Sequence, residues 1–270
     1  MPQSDGARNA GAERSHYNRA MNALLPIEVL YQDEHLVAVN KPAGLLAHAS
    51  RMATDVDVDL LACLRTQLGG SIHLVHRLDR ATSGLVLAAR NGEIAGALGR
   101  QFMERSVDKR YLGVVRGWPA EQGEIDYPLP DVRENSPRKP ALTTFRTLAT
   151  TTVPIALGRY PEQRYALVEA SPHTGRYRQI RKHFHHVSHH LIGDTSHGRT
   201  EHNRLFKIEF RVHQMLLHAA TLAFDHPLDG RRMQLSAPLD TVWQGVLERF
   251  GWQQHAPSPR RSSVTHGPAP

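Results

Sequence analysis

The stretch VHRLDRATSGLVLAAR, residues 75–90, is the most informative part of the chain for both fold and chemistry. Asp79 lies between Arg77 and Arg80, and the apolar run GLVLAAR follows at residues 84–90. A short apolar run bounded by glycine predicts a buried strand. Positive neighbours favour the charged form of a carboxylate, and an ionised carboxylate can act as a nucleophile. Asp79 is therefore a candidate catalytic residue, although a purely structural salt bridge to either arginine would explain the same pattern.

The patterns around this stretch predict strands interrupted by occasional helices. Further strands are predicted in IEVLYQD (27–33), HLVAVN (35–40), KRYLGVVRG (109–117), ALTTFRTLAT (141–150), RYALVEAS (164–171), LLHAATLAF (216–224) and RMQLSA (232–237). Helices are predicted in VDLLACLRTQL (58–68), EIAGALGRQFMER (93–105), GRYRQIRKHFHHV (175–187) and DTVWQGVLERF (240–250). This order predicts an α+β fold with a mainly antiparallel mixed sheet and flanking helices.

Composition narrows the class of protein. The 270 residues carry a net charge of +7, which favours a polyanionic partner such as RNA. We expect a cytoplasmic protein, because no apolar run reaches the roughly 18 residues of a membrane span and the first 25 residues lack a signal sequence. We also expect a monomer. The polar ends, 1–24 and 253–270, are expected to be disordered tails around one catalytic domain at 25–252. The single cysteine, Cys63, excludes an internal disulfide and zinc sites built on paired thiolates.

Five segments of the chain resemble one enzyme family. HRLDRATSG (76–84) is similar to the active-site motif of the RluA-type pseudouridine synthases, HRLD followed by TSG. The others, in the family's order, are VNKPAGLLAH (39–48), KRYLGVVRG (109–117), HTGRYRQIRKH (173–183) and LIGDTSHG (191–198). Together they extend the resemblance from about Pro26 to Trp252. Two positions depart from the family pattern, Arg178 where histidine is usual and His197 where tyrosine is usual.

The resemblance implies the pseudouridine synthase fold and an enzyme that isomerises uridine to pseudouridine in structured RNA without a cofactor or metal. It implies that Asp79 is the essential catalytic residue and that Arg181 pairs with it. It also implies that Tyr111 stacks on the displaced base or transfers a proton. The segments DYPLP, GRYPEQRYALVEASP and RFGW resemble the tRNA-acting branch, which modifies the uridine at position 65 of tRNA. A ribosomal RNA target stays open as an alternative within the family.

A paired target base must leave its helix before it can react, and this costs a few kcal/mol. Arg77, beside Asp79, is the candidate to brace the gap that the base leaves. Phosphate contacts from a basic surface would add affinity that falls with salt. The candidate RNA-binding cations are Lys41, Arg80, Lys109, Arg176 and Arg178, with Arg105, Arg110 and Lys182 as further members of the basic surface.

Two other interpretations remain. The segment KHFHHVSHHLIGD holds His185/His189 and His186/His190 at a spacing of four residues, which on one helix face could chelate a metal. No glutamate lies between the pairs, as a metallohydrolase motif of the HExxH type would require. The other alternative is a non-catalytic RNA-binding protein. The presence of Asp79, Tyr111 and Arg181 together argues against it.

Overall fold

A computed structural model describes residues 26–48, 58–131 and 136–257. The predicted N-terminal tail, residues 1–24, and residues 258–270 of the predicted C-terminal tail lie outside the described residues. Gln253–His255, which the sequence pattern assigned to that tail, form one turn of 3₁₀ helix after the last α-helix. Within the described ranges, none of the helices combines the length and apolar character that a membrane crossing requires.

Twelve strands are described. They are β1 (Glu28–Gln32), β2 (Leu36–Lys41), β3 (His73–Leu74), β4 (Ser83–Ala89), β5 (Asp108–Arg116), β6 (Gln122–Asp126), β7 (Leu129–Pro130), β8 (Arg138–Lys139), β9 (Leu142–Val153), β10 (Gln163–Pro172), β11 (Leu217–Asp225) and β12 (Arg232–Ser236). Ten of them form one sheet in the order β1-β2-β4-β11-β5-β10-β9-β6, with β3 paired to β4 and β12 to β11. The β4–β11 pair is parallel and the other pairs are antiparallel. The sheet confirms the predicted fold class.

Within the described ranges, five α-helices accompany the sheet. They are α1 (Leu60–Leu68), α2 (Gly92–Glu104), α3 (Gln179–His186), α4 (Thr200–Glu209) and α5 (Thr241–Phe250). Side chains of Asp59, Asn91 and Asp240 accept the N–H groups that open α1, α2 and α5, which fixes where these helices begin.

Alternation along the buried strands divides the core between the two faces of the sheet. In β4, Val86 and Ala88 pack with α1, whereas Leu85 and Leu87 pack with α2. In β10, Leu167 packs in the cluster with α5 and Trp243, whereas Ala166 and Val168 pack with α3 through Phe184. Helices therefore cover both faces of the sheet. The loop before β4 lies at the end of one of its inner strands.

Two local predictions were wrong. The helix predicted to begin at Gly175 begins at Gln179, because Arg178 adopts a left-handed backbone conformation with φ 55° that breaks the helical run. Helix α4 was not predicted, since its sequence TEHNRLFKIE is mostly polar and buries only three side chains, His202, Leu205 and Phe206.

Candidate active site

The loop that carries Asp79 is fastened on both sides of that residue. The Thr82 N–H donates to the Asp79 carbonyl at 3.1 Å, which closes a turn immediately before β4. Arg80 is joined to Gly44 twice, since the Gly44 N–H donates to the Arg80 carbonyl at 2.8 Å and Arg80 Nε donates to the Gly44 carbonyl at 2.9 Å. These bonds hold the carboxylate on a loop of fixed shape.

Lys41 supports the same loop from inside the protein. Its side chain is fully buried, and Nζ donates to the carbonyls of Pro42, Leu45 and Arg80 at 2.9, 2.8 and 3.3 Å. Burial lowers the pKa of Lys41 to about 7, although the charge of Asp79 acts in the opposite direction. Neither Lys41 nor Arg80 lines the cavity around Asp79. Their predicted contact with RNA stays a prediction, and in the structure both residues support the loop that carries Asp79.

Strand register brings Tyr111 to this loop. Tyr111 on β5 lies opposite Ala219 on β11, and Ala219 lies opposite Gly84 at the start of β4. Gly84 has φ +110°, and a Cβ there would collide with the Ala219 backbone, so a glycine is needed at this point. The row across three strands places the Tyr111 ring beside the Asp79 loop, and both side chains line one cavity.

Arg181 connects Asp79 to a buried carboxylate, Asp194. One terminal nitrogen of the guanidinium donates to Asp79 Oδ2 at 2.9 Å, while Nε and the other terminal nitrogen each donate to Asp194 at 2.7 Å. The Asp194 side chain is 1% exposed and Arg181 6%, whereas Asp79 retains 21% exposure. The fork geometry fixes the guanidinium in its plane, so Arg181 presents one donor to Asp79 in a fixed direction.

Electrostatic interactions among Asp79, Arg181 and Asp194 keep Arg181 and Asp194 charged. Burial would raise the pKa of Asp194, but hydrogen bonds and charge from Arg181, with the N–H groups of Ser196 and His197, hold it below its ordinary value. Burial would lower the pKa of Arg181, but its bonds to Asp194 and Asp79 raise it. Burial first, and the charge of Asp79 second, raise the pKa of Tyr111.

The start of helix α3 is held by Gln179, which positions Arg181 two residues later. Thr174 Oγ1 and the Arg176 N–H donate to Gln179 Oε1 at 2.7 and 3.0 Å. Gln179 Nε2 donates to the Leu142 carbonyl at 2.9 Å. A single buried amide thus joins the HTGRYRQ segment to strand β9.

The cavity around Asp79 has a volume of about 730 Å³, within the range of small-ligand sites, and is open to solvent. Among its described lining residues, cations outnumber carboxylates. The carboxylates are Asp79 and Asp131, and the cations are Arg77, Arg105, Lys109, Arg176, Arg178 and Arg181. Arg176 donates to Asp131 at 2.7 Å, and Arg178 lies over the Tyr177 ring at 4.8 Å. The cavity therefore suits an anionic ligand with a flat, stackable group.

The predicted basic surface on α3 differs from the structure. Arg176 and Arg178 precede the helix, and Arg181 and Lys182 are buried rather than solvent-exposed. The histidine pairs also fail to share a helix face, because α3 ends at His186 and leaves His189 and His190 beyond it. In the described part of the chain, no group of three or more His, Cys, Asp or Glu side chains is arranged to hold a metal ion.

Asp194 was not among the candidate residues, although it lies within the quoted segment LIGDTSHG. Its position depends on long-range contacts. The Asn203 side chain on α4 donates to the Asp194 carbonyl at 2.9 Å and accepts from the Gly193 N–H at 2.8 Å. The Ile192 N–H donates to the Val114 carbonyl on β5. An aspartate in a glycine-containing stretch was the available signal, and its spatial partner could not be deduced from spacing.

Comparison with known proteins agrees with this geometry. A protein of Pectobacterium carotovorum subsp. carotovorum named tRNA pseudouridine synthase C is 44% identical over 236 residues, which cover 84% of this chain and 63% of that protein. The chain therefore spans less than two thirds of that relative. A protein of Vibrio cholerae with the same name is 40% identical over 237 residues, which cover 84% of this chain and 97% of the relative.

The fold agrees with that of a solved human structure, RNA Pseudouridylate Synthase Domain Containing 4. The TM-score is 0.67 at 24% identity, over 92% of this chain and all of the human one. A family model described as RNA pseudouridylate synthase matches residues 35–186, the part of the chain that carries Asp79, Tyr111 and Arg181. The chain belongs to the family of RNA pseudouridylate synthases.

Proposed function

We propose that this enzyme converts one uridine of tRNA to pseudouridine, with Asp79 as the catalytic carboxylate and position 65 as the target. The observation that carries the proposal is the ion pair between Arg181 and Asp79 at the floor of an open, cationic cavity. Relatives of about 40% identity that are named tRNA pseudouridine synthase C support tRNA as the substrate.

The reaction breaks the bond between C1′ of the ribose and N1 of the base and forms a bond between C1′ and C5. The base turns between these steps, and the proton on C5 is finally lost while N1 gains one. Asp79 can attack C1′ with N1 as the leaving group and be released when C5 attacks C1′. Alternatively, it can remove the proton from C2′ as N1 leaves, which gives a glycal, and return that proton to C2′ when C1′ bonds to C5. Both routes need an oriented carboxylate, and the bond from Arg181 holds the Asp79 carboxylate in a fixed direction.

Tyr111 supports two parts of this chemistry. Its ring lies in the cavity wall, where it can stack on the detached base and limit its movement during rotation. Its hydroxyl keeps its proton at neutral pH because the pKa of Tyr111 is raised, so the group can donate a proton but is a poor base at rest.

Entry of the uridine requires extrusion from the RNA helix. Arg77 is exposed on the rim of the cavity two residues before Asp79, where its side chain can occupy the gap left in the helix. Lys109, Arg176 and Arg178 line the same cavity and are placed to contact phosphates beside the extruded nucleotide.

Mapping of pseudouridine by chemical labelling in total RNA tests the function directly. Cells that lack the protein should lose one tRNA pseudouridine, and the wild-type gene, but not the Asp79→Asn gene, should restore it. Loss at a ribosomal RNA site instead would contradict the tRNA assignment. An unchanged pseudouridine map would contradict the proposed activity.

A further inference from the structure

A second cavity, of about 370 Å³, lies beside the C-terminal half of α3 and plays no part in the proposed chemistry. We call it the basic pocket and define it by Tyr127, Arg138, Lys182, His185, His186 and His197. Arg138 and Lys182 supply two cations, and three histidines add polar ring nitrogens. None of the described residues that line it is a carboxylate.

One wall of the basic pocket is a stack of flat groups. The Tyr127 and His186 rings lie 3.6 Å apart at 15°, and the Arg138 guanidinium lies 5.3 Å from the Tyr127 centroid. Arg138 also donates to the Pro128 carbonyl at 3.0 Å. These contacts fix the direction of the Arg138 guanidinium and reduce the entropy lost when it binds a ligand.

His197 presents a ring nitrogen without a protein partner. Its Nε2 is shielded from solvent and makes no hydrogen bond within residues 26–48, 58–131 and 136–257. His185 Nδ1 donates to the His197 carbonyl at 2.9 Å, which fixes the His185 ring at the edge of the same cavity. A ligand in the basic pocket would therefore meet the His197 ring without reaching this buried nitrogen.

The helix terminus opposes anion binding, but weakly. The last turn of α3 carries a partial negative charge, which disfavours a nearby anion. His185 and His186 lie in that turn, where basic side chains counter the dipole. The full charges of Arg138 and Lys182 add to this, so the net character of the basic pocket is cationic.

The basic pocket adjoins the active cavity through helix α3. Arg181 lines the cavity around Asp79, and the next residue, Lys182, lines the basic pocket. The Lys182 ammonium lies 5.1 Å from the centroid of the Tyr177 ring, and Tyr177 belongs to the active cavity. An RNA strand that leaves the active cavity across Tyr177 would reach the basic pocket next.

We propose that the basic pocket binds a backbone phosphate of the substrate RNA, near the extruded nucleotide but outside the reacting site. The inference rests on the proposed function in that it takes RNA as the substrate. Arg138 supplies an exposed guanidinium for the contact, and the buried Lys182 ammonium adds positive charge to the pocket. The contact would fix the register of the RNA without reading its sequence.

The test is RNA binding by Arg138→Gln and His186→Gln, each in the inactive Asp79→Asn protein, with an unmodified tRNA transcript over a series of salt concentrations. Both substituted side chains are exposed, so the fold should be retained, and thermal unfolding checks this. We expect Arg138→Gln to weaken binding about three- to tenfold and to reduce the slope of log K against log salt by about 0.7–0.9, the value for one lost phosphate contact. His186→Gln should weaken binding less.

The matched control is Arg249→Gln, which removes the same charge from an exposed position that lines neither cavity. It should leave both affinity and salt slope unchanged. If Arg138→Gln behaves like Arg249→Gln, the phosphate site is refuted. If the wild-type enzyme fails to modify tRNA while Arg138→Gln still loses affinity and salt slope for RNA, the proposed substrate fails and the phosphate site stands.

Discussion

Arg181 holds Asp79 at 2.9 Å although the two residues are 102 positions apart in sequence. The same guanidinium is fixed by two bonds of 2.7 Å to Asp194, so the orientation of the Asp79 carboxylate depends on a residue that does not face the cavity. The chain Asp194–Arg181–Asp79 runs from the buried interior to the floor of the site. This relationship makes Asp194 a positioning residue and leads to the first prediction.

Asp194→Asn should lower both stability and rate. The change removes the buried charge partner of Arg181, and loss of one member of a buried ion pair costs about 3–5 kcal/mol in the free energy of unfolding. The guanidinium would also lose its fixed plane, so the single-turnover rate should fall at least about tenfold. Denaturant unfolding and single-turnover kinetics measure the two effects.

Glu169→Gln is the matched control for Asp194→Asn. Glu169 pairs with Arg146 at 3.4 Å on the surface, with 25% and 62% of the two side chains exposed, so its loss should cost less than about 1 kcal/mol. Equal stability and equal rates for the two variants would contradict the positioning role of Asp194.

Tyr111→Phe should separate stacking from proton transfer. Phenylalanine keeps the ring in the cavity wall, so RNA affinity should stay within about twofold, while loss of the hydroxyl should lower the rate about a hundredfold. Because burial and the charge of Asp79 raise the pKa of Tyr111, its ionisation should not appear in the wild-type rate profile between about pH 6 and 9. A Tyr111→Phe enzyme as fast as the wild type would exclude the proton-transfer role.

Arg77→Ala should slow the reaction on folded RNA. If Arg77 fills the gap left by the extruded base, its loss should lower the single-turnover rate about tenfold or more, since extrusion costs a few kcal/mol. Arg249→Ala, which removes an exposed arginine outside the cavity, serves as the comparison. Unchanged rate and RNA affinity in Arg77→Ala would remove this residue from the mechanism.

Stability should fall as the pH drops from about 6.5 towards 4. Burial lowers the pKa of His76, His202 and His218 to about 4 each. Each accepts a hydrogen bond on a ring nitrogen, from the Leu87 N–H, Arg116 Nε and the Ser83 hydroxyl respectively, which protonation would abolish. The unfolded chain therefore binds more protons than the folded one in this interval, and stability that is complete above pH 6.5 is lost below it.

Urea unfolding at several pH values measures this dependence. Each histidine contributes up to about 1.4 kcal/mol per pH unit. His218→Gln should be less stable at neutral pH, because its bonds to Ser83 and the Ala237 carbonyl are lost, but should show a shallower slope by one proton. Equal slopes for wild type and variant would contradict the neutral assignment of His218.

Local elements were predictable where one physical pattern controls them. The alternation in KRYLGVVRG predicted β5, RYALVEAS was correctly predicted as the strand β10, and the glycine after Leu68 predicted the end of α1. The parallel pairing of β4 with β11 was not predictable, because it joins segments that share no local signal. The helix start predicted at Gly175 was wrong because Arg178 adopts a left-handed backbone conformation, which hydrophobic periodicity does not indicate.

The residues of the candidate site also differ in how far the sequence predicted them. The sequence indicated Asp79 as a candidate because it lies between two arginines. Its pairing with Arg181 was implied by the family resemblance. The contact of Asp194 with Arg181 was found only in the structure. Lys41 was predicted as an RNA contact, and that stays a prediction. The sequence did not indicate that its ammonium is buried and donates to three carbonyls in the interior.

The most direct test of the central claim is single-turnover formation of pseudouridine in a tRNA transcript by the wild-type enzyme and by Asp79→Asn, with RNA affinity measured in parallel. Asparagine keeps the size of the side chain and removes the charge that the reaction needs. We expect wild-type conversion at one uridine, an Asp79→Asn rate lower by at least about a thousandfold, and comparable affinities. Product formation by Asp79→Asn at a rate close to that of the wild type would contradict the account.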